Sequence, residues 1–233
     1  MFEPPAKPQS IAPSAQRNIV LYALLASLTS FIPVPFIDTL AQNRIHRLMV
    51  NKLSRTHSLD LTKTQARVLA AGAKRGRSSS LAMLSAKAII KRVLRKTVML
   101  FSAKQAADSF SLTYHIGYLL DFAMHKSWTT KRSAQEIRTA IETVCGEVDT
   151  SPVNYAVYKI MRHSIAFTGV IKEYLVELST GRKADDEAAD KVLADAPDEA
   201  KNLAARIQSA LDVMPSQYFV EIRRRFAEEL GME

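Results

Sequence analysis

Apolar residues recur at three- and four-residue intervals along nearly the whole chain, and this spacing restricts the fold more than any other feature. Within residues 41–53, for example, one helical face would carry Ala41, Ile45, Leu48, Met49 and Leu53. Only 7 of the 233 residues are glycine, too few for a turn-rich β-barrel. We therefore predict an all-α fold, a bundle of about seven to nine helices without a sheet.

Composition divides the chain into three predicted regions. Residues 1–17 are rich in proline and small polar residues, which predicts a disordered tail. Residues 18–180 are predicted to form a basic helical domain. Residues 181–233 are predicted to form an acidic linker and a C-terminal hairpin of two amphipathic helices, with Pro215 between them.

Several helix boundaries can be predicted within the basic domain. Two apolar helices are expected over residues 81–101 and 103–124. Ser133 and Glu136 have the spacing of a capping box and would begin another helix. A long helix is expected over residues 150–181, because Thr150-Ser151-Pro152 is a typical helix start.

Positive charge is concentrated in the first half of the chain. The formal net charge is +9, with 20 Lys/Arg against 5 Asp/Glu in residues 1–132 and 12 against 18 in residues 133–233. Residues 44–104 contain 15 basic residues and a single acidic residue, Asp60. Such a density indicates an anionic partner, and the candidates are lipid headgroups and nucleic acid.

The candidate membrane- or anion-binding residues lie on two predicted amphipathic helices. One helix would begin at Asp38 as its N-cap, and the other would run through residues 87–96. The candidates are Arg44, Arg47, Lys87, Lys91, Arg92, Arg95 and Lys96. An apolar face beside a cationic face is typical of helices that bind anionic membrane surfaces.

The segment from Ile19 to Ile37 contains no charged side chain. Only 14 of its residues precede Pro33, and a helix of that length reaches about 21 Å, less than the roughly 30 Å hydrocarbon core of a bilayer. No small-x-small cleavage site follows, which disfavours a secretory signal. Two interpretations stay open: a segment inserted shallowly at a membrane interface, and a buried core helix.

Residues that could support catalysis are sparse in the sequence. The five histidines lack zinc-binding spacing and are expected to be surface or capping residues: His46, His57, His115, His125 and His163. Cys145 is the only cysteine and is expected to be packed rather than reactive. We predict no catalytic, metal or cofactor site, and hence a protein that is not an enzyme.

Two short motifs carry a resemblance to a known family. The first is the turn Pro33-Val34-Pro35-Phe36-Ile37-Asp38, which lies between a small-residue apolar segment and an amphipathic helix. The second is the pair Thr113-x-x-x-Gly117 in a later apolar helix. Over roughly residues 18–144 the chain resembles the YcjF-like family of bacterial membrane-associated helical proteins of unknown function. That domain is often fused to a GTPase, so the resemblance implies a membrane location and a GTPase partner.

The sequence therefore predicts a non-enzymatic adaptor or regulatory protein on the cytoplasmic face of the bacterial inner membrane, peripheral or shallowly inserted. Its basic helices would face anionic lipid, and its acidic C-terminal half would face protein partners. Two alternatives stay open. One is a soluble nucleic-acid-binding protein that uses residues 44–104, and the other is a soluble helical scaffold in which residues 19–37 form the core helix.

Overall fold

The computed structural model describes residues 13–29, 37–71, 95–162, 173–178 and 186–232. These residues form eleven helices and no strand, which confirms the all-α prediction with slightly more helices than expected.

The helices follow one another with short connections wherever the connection is described. The first six are α1 (Pro13–Leu28), α2 (Ile37–Thr56), α3 (Lys63–Ala70), α4 (Arg95–His125), α5 (Trp128–Lys131) and α6 (Ala134–Glu147). The remaining five are α7 (Ser151–Arg162), α8 (173–178), α9 (Asp186–Asp195), α10 (Asp198–Asp212) and α11 (Ser216–Leu230). The longest is α4, whose 31 residues span about 46 Å.

Two predicted boundaries need correction. Helix α1 begins at Pro13, inside the segment 1–17 that was expected to be disordered, and Ala15 is buried. Helix α4 runs without a break from Arg95, where two helices were expected to meet near residue 102, because no proline or glycine interrupts this stretch. The rest of the expected helix 81–101 lies outside the described residues.

Other boundaries agree with the expectations or add to them. The capping box is confirmed, since the Glu136 N–H donates to Ser133 Oγ (3.2 Å) and the Ser133 N–H donates to Glu136 Oε2 (2.8 Å). Pro215 separates α10 from α11, as predicted. The expected acidic linker contains a helix, α9. The expected long helix over 150–181 includes α7 and α8, and residues 163–172 between them lie outside the described residues.

Helix α1 is a core helix. Every residue from Ile19 to Ser27 is buried, and α1 is packed against α2, α4 and α10. The hydroxyls at its C-terminal end form local hydrogen bonds. Ser27 Oγ donates to Leu24 O and Thr29 Oγ1 donates to Ala26 O, each at a distance of 2.7 Å. Residues 19–27 of the uncharged segment therefore form a buried core helix, which is one of the two interpretations left open by the sequence. Residues 30–36 lie outside the described ranges.

Helices α2 and α4 run parallel and are joined by polar contacts. Gln42 Nε2 donates to Ser109 Oγ at a distance of 3.0 Å. One turn further along both helices, His46 Nε2 lies 3.1 Å from Thr113 Oγ1. Gln42 also donates to Ala26 O at the end of α1, which places α1 antiparallel to both helices. The three helices form the centre of the bundle.

The C-terminal helices belong to the same core. Leu203, Ile207 and Leu211 of α10 are buried where α10 meets α1 and α7, while Ile222 and Phe226 of α11 are buried where α11 meets α4 and α6. The described helices on both sides of the predicted boundary at residue 181 therefore share one hydrophobic cluster.

Candidate anion-binding surface

Helix α2 has an apolar side that faces the core and a cationic side that is at least partly exposed. The apolar side is buried and carries the residues that the spacing predicted: Ala41, Ile45, Leu48, Met49 and Leu53. The other side carries Arg44, Arg47 and Arg55. Lys52 follows the buried Leu48 by one turn and lies where α9 packs on α2, and α3 adds the exposed Lys63 and Arg67. We call these six residues the α2–α3 cations.

The cations of α2 differ in how far their side chains are buried. Arg44 and Arg47 are half-buried, so their aliphatic stems lie along the protein surface. Arg47 Nε donates to Asn43 O, one turn earlier, at a distance of 3.3 Å. The side chains of Lys52 and Arg55 remain 24% and 43% exposed.

Lys52 and Arg55 share the carboxylate of Asp190 on α9. Lys52 Nζ donates to Oδ1, and Arg55 Nη1 donates to Oδ2 over 2.8 Å. The hydrogen bond from Lys52, together with the charges of Lys52 and Arg55, holds the pKa of Asp190 below its ordinary value. An acidic helix from the second half of the chain therefore covers part of a basic helix from the first half.

Two tyrosine hydroxyls fix α9 through its backbone. The Tyr22 hydroxyl on α1 donates to Ala189 O at a distance of 2.8 Å, and the Tyr174 hydroxyl on α8 donates to Val192 O at 2.7 Å. Burial raises the pKa of Tyr22, so its hydroxyl stays protonated as a donor. Among the described side chains of α9, residues 189–195, only Ala189 is buried.

The motif residues Thr113 and Gly117 have structural positions in the core. Thr113 contacts His46, and Gly117 lies where α1 and α2 approach α4. A Cβ at position 117 would lie 2.8 Å from Ile19 Cγ2 and 3.0 Å from Met49 Sδ. Glycine suits this position because any added side chain would force the Ile19 and Met49 side chains to shift.

Two histidines expected at the surface are buried instead. Burial lowers the pKa of both His46 and His115 to about 4, so each is neutral near pH 7. His115 Nδ1 lies 2.6 Å from Ser111 O, a pure acceptor, so Nδ1 carries the proton and Nε2 accepts from Tyr218 OH at 2.7 Å. Each buried ring has one polar partner that is distant in sequence, Thr113 for His46 and Tyr218 for His115, and helical spacing does not reveal these two contacts.

A hydrogen-bonded pair of His57 and Asp121 lies at the end of α2. His57 Nε2 is 2.8 Å from Asp121 Oδ1, and the Asp121 side chain is only 3% exposed. Burial raises the pKa of Asp121, and the hydrogen bond and charge of His57 oppose that rise. The exposed His125 lies near, with its ring centroid 6.0 Å from that of His57. Sequence analysis missed this pair because its members lie 64 residues apart.

The structure describes only some of the predicted site residues. Arg95 and Lys96 lie in the first turn of α4, and Asp38 lies in the first turn of α2, which begins at Ile37 rather than after an Asp38 cap. Only the backbone of these three residues is described. The other predicted site residues lie outside the described ranges: Pro33, Pro35, Phe36, Lys87, Lys91 and Arg92.

The described residues have further features that concern metal-binding side chains, Cys145, helix hydropathy and the exposed hydrophobic side chains. They contain no group of three metal-binding side chains, and burial raises the pKa of the Cys145 thiol to about 12. Within the same ranges, no helix has both the length and the apolar character needed to cross a membrane. The large hydrophobic side chains exposed there are Tyr155, Val213 and Val220, which lie in three separate parts of the chain.

Comparison of the chain with protein-family models, curated proteins and solved structures finds no match. The resemblance to the YcjF-like family therefore stays a prediction from the motif residues. Function must be inferred from the side chains themselves.

Proposed function

We propose that this protein is a non-enzymatic helical adaptor that docks peripherally on an anionic membrane surface through the α2–α3 cations. The observation that carries the proposal is the arrangement of α2, whose apolar side is sealed in the core while Lys52 and Arg55 project outward. Binding would then be driven by charge, at about 1 kcal/mol for each basic residue near the surface.

The membrane contact proposed here differs from the one expected from sequence in one respect. Because residues 19–27 are buried by other helices, they are not available for insertion in this fold. Lipid headgroups need neither a groove nor a fixed register, so a convex helical surface with several cations is sufficient. The resemblance to a membrane-associated family supports the cytoplasmic face of the inner membrane as the location and a GTPase as a protein partner.

A second candidate is nucleic-acid binding. Burial of α1 favours it, since charge is then the main attraction that the described surface offers, and phosphates of nucleic acid attract the same cations. The two functions differ in the polyanion that binds more tightly. A scaffold role, the third alternative, requires neither.

Charge reversal on α3 tests the proposal. The variant Lys63→Glu/Arg67→Glu changes two exposed residues, and Lys131→Glu/Lys159→Glu makes the same change in net charge on α5 and α7. We expect the α3 variant to bind phosphatidylglycerol vesicles at least about 30-fold more weakly, because two contacts of about 1 kcal/mol each are lost. The control variant should change binding by less than about fivefold.

The outcomes separate the candidates. Equal weakening by both variants would mean that net charge alone matters, and the assignment to α2–α3 would be wrong. Absence of vesicle binding by the unchanged protein, with a salt-sensitive gel shift of DNA or RNA, would favour the second candidate. Absence of both would leave the scaffold.

A further inference from the structure

Lys52 and Arg55 form a two-cation site that already holds an anion. They are three residues apart on α2, so their side chains project to the same side of the helix. Each cation takes one oxygen of the Asp190 carboxylate. A phosphate group presents oxygens of the same charge and hydrogen-bonding character, so the arrangement that accepts the carboxylate also suits a phosphate.

The helix that supplies the carboxylate is held by few apolar contacts. Among its described side chains, α9 buries Ala189 alone, whereas its neighbour α10 buries Ala200, Leu203, Ala204, Ile207 and Leu211. Val192 and Leu193 of α9 are only partly buried against the core. The polar attachments of α9 include the Tyr22 and Tyr174 hydroxyls, a hydrogen bond from Lys201 Nζ of α10 to Ala194 O, and the Asp190 carboxylate, which is 51% exposed. Elements with few buried apolar contacts open at low free-energy cost, so α9 can separate while α10 stays in place.

We propose that Asp190 is a built-in competitor of anionic lipid: the headgroup phosphate takes the Lys52–Arg55 site and displaces the α9 carboxylate. This inference rests on the proposed function. Competition is reciprocal, so a docked α9 weakens lipid binding, and bound lipid releases α9. The acidic helix would then become accessible to a protein partner only at the membrane.

Removal of one carboxylate tests the competition. Asp190→Asn removes the competing charge but keeps the side-chain size, and Glu229→Gln removes an equal charge from an exposed position on α11. Because two cations lose a competitor, we expect Asp190→Asn to bind phosphatidylglycerol vesicles about 5- to 30-fold more tightly than the unchanged protein. Glu229→Gln should change binding less than about threefold, since screening limits its reach to about 10 Å at 0.1 M salt.

A second measurement observes α9 directly in the unchanged protein. Amide hydrogen exchange should become faster in residues 189–195 when phosphatidylglycerol vesicles are added, and should not change with phosphatidylcholine vesicles. Inorganic phosphate at the same phosphate concentration separates a lipid headgroup from a free anion. Faster exchange with phosphate alone, or with duplex DNA but not with vesicles, would overturn the assignment to lipid.

The failures are distinguishable. If the unchanged protein binds the vesicles but Asp190→Asn binds no more tightly than Glu229→Gln, the competition is wrong and the proposed function stands. Unchanged exchange in α9 on vesicle binding leads to the same conclusion. If neither the unchanged protein nor either variant binds the vesicles, the proposed function and the inference are both wrong.

Discussion

Helix α2 has two interfaces that are built on different physical principles. Its inner interface, with α1 and α4, consists of buried apolar side chains and of polar pairs such as His46–Thr113. Its interface with α9 includes the partly exposed ion pairs of Asp190. The first is expected to be insensitive to salt and intolerant of changes in volume, while the second is weak, screened by salt and suited to exchange for another anion.

The two interfaces of α2 differ in the cost of removing a partner from a charged group. A charge removed from water is retained only with a partner, as for Asp121 with His57, and loss of the partner is costly. A charge at the surface, such as Asp190, can lose its partners to solvent at little cost. Substitutions on the two sides of α2 should therefore differ both in size and in salt dependence.

The largest effect is expected from His57→Ala. The variant leaves the Asp121 carboxylate buried without its partner, and we expect the free energy of unfolding to fall by about 2–4 kcal/mol at pH 7 in urea titrations. Burial raises the pKa of Asp121, so this carboxyl takes up a proton more readily in the folded chain than in the unfolded chain. The penalty should shrink as the pH is lowered towards about 4, where aspartate protonates in the unfolded chain as well.

Two control variants sharpen this prediction. His125→Ala removes an exposed neighbouring imidazole and should cost less than about 0.5 kcal/mol. His57→Gln retains an amide donor and should recover part of the loss. A penalty for His57→Ala that is the same at pH 7 and pH 4.5 would show that lost packing, rather than the buried carboxylate, is responsible.

Gly117→Ala should give the next largest effect. The added Cβ would meet Ile19 and Met49, so we expect a loss of about 1–3 kcal/mol, measured by urea unfolding. Gly146→Ala is the matched control, because Gly146 lies in α6 and nothing lies within 4 Å of an added Cβ. That control should stabilise by about 0.5–1 kcal/mol through helix propensity. Equal effects at the two positions would contradict the close approach at Gly117.

Thr113→Val tests a polar pair within the inner interface. The substitution keeps the shape of the side chain but leaves His46 Nε2 without its partner, and it should cost about 1 kcal/mol in the free energy of unfolding. Thr64→Val at an exposed position of α3 is the control and should cost less than about 0.5 kcal/mol. No difference between the two would show that the His46 contact contributes nothing.

The smallest effect on stability is expected from Asp190→Asn. Exposed ion pairs contribute about 0–1 kcal/mol, and this contribution should vanish near 1 M salt. Urea unfolding at low and high salt measures both. A loss above about 2 kcal/mol, or one that persists at high salt, would show that α9 is bound as firmly as the core helices and would weaken the competition proposed for it.

Local signals predicted much of the fold but little of the site. The spacing of Ala41, Ile45 and Met49 predicted the buried side of α2, and the Ser133–Glu136 box predicted a helix start, because both signals lie within a few residues. The pairing of Arg55 with Asp190 joins residues 135 positions apart, and no local pattern specifies it.

Charge and hydropathy were ambiguous for the same reason. An uncharged apolar segment is equally suited to a membrane interface and to a protein core, and only the helices packed around Ile19–Ser27 decide between them. Similarly, His46 and His115 have ordinary helical neighbours in sequence, but Thr113 and Tyr218 supply the partners that allow their burial.

The most direct test of the account is flotation of the full chain with phosphatidylglycerol and phosphatidylcholine vesicles over a range of salt concentrations. Because α1 is sealed and the outer side of α2 is charged, we predict flotation with phosphatidylglycerol only, at about 0.1 M salt, and complete loss near 1 M. Flotation that persists at high salt, or that occurs with phosphatidylcholine, would mean that apolar residues insert, and would contradict a membrane contact driven by charge.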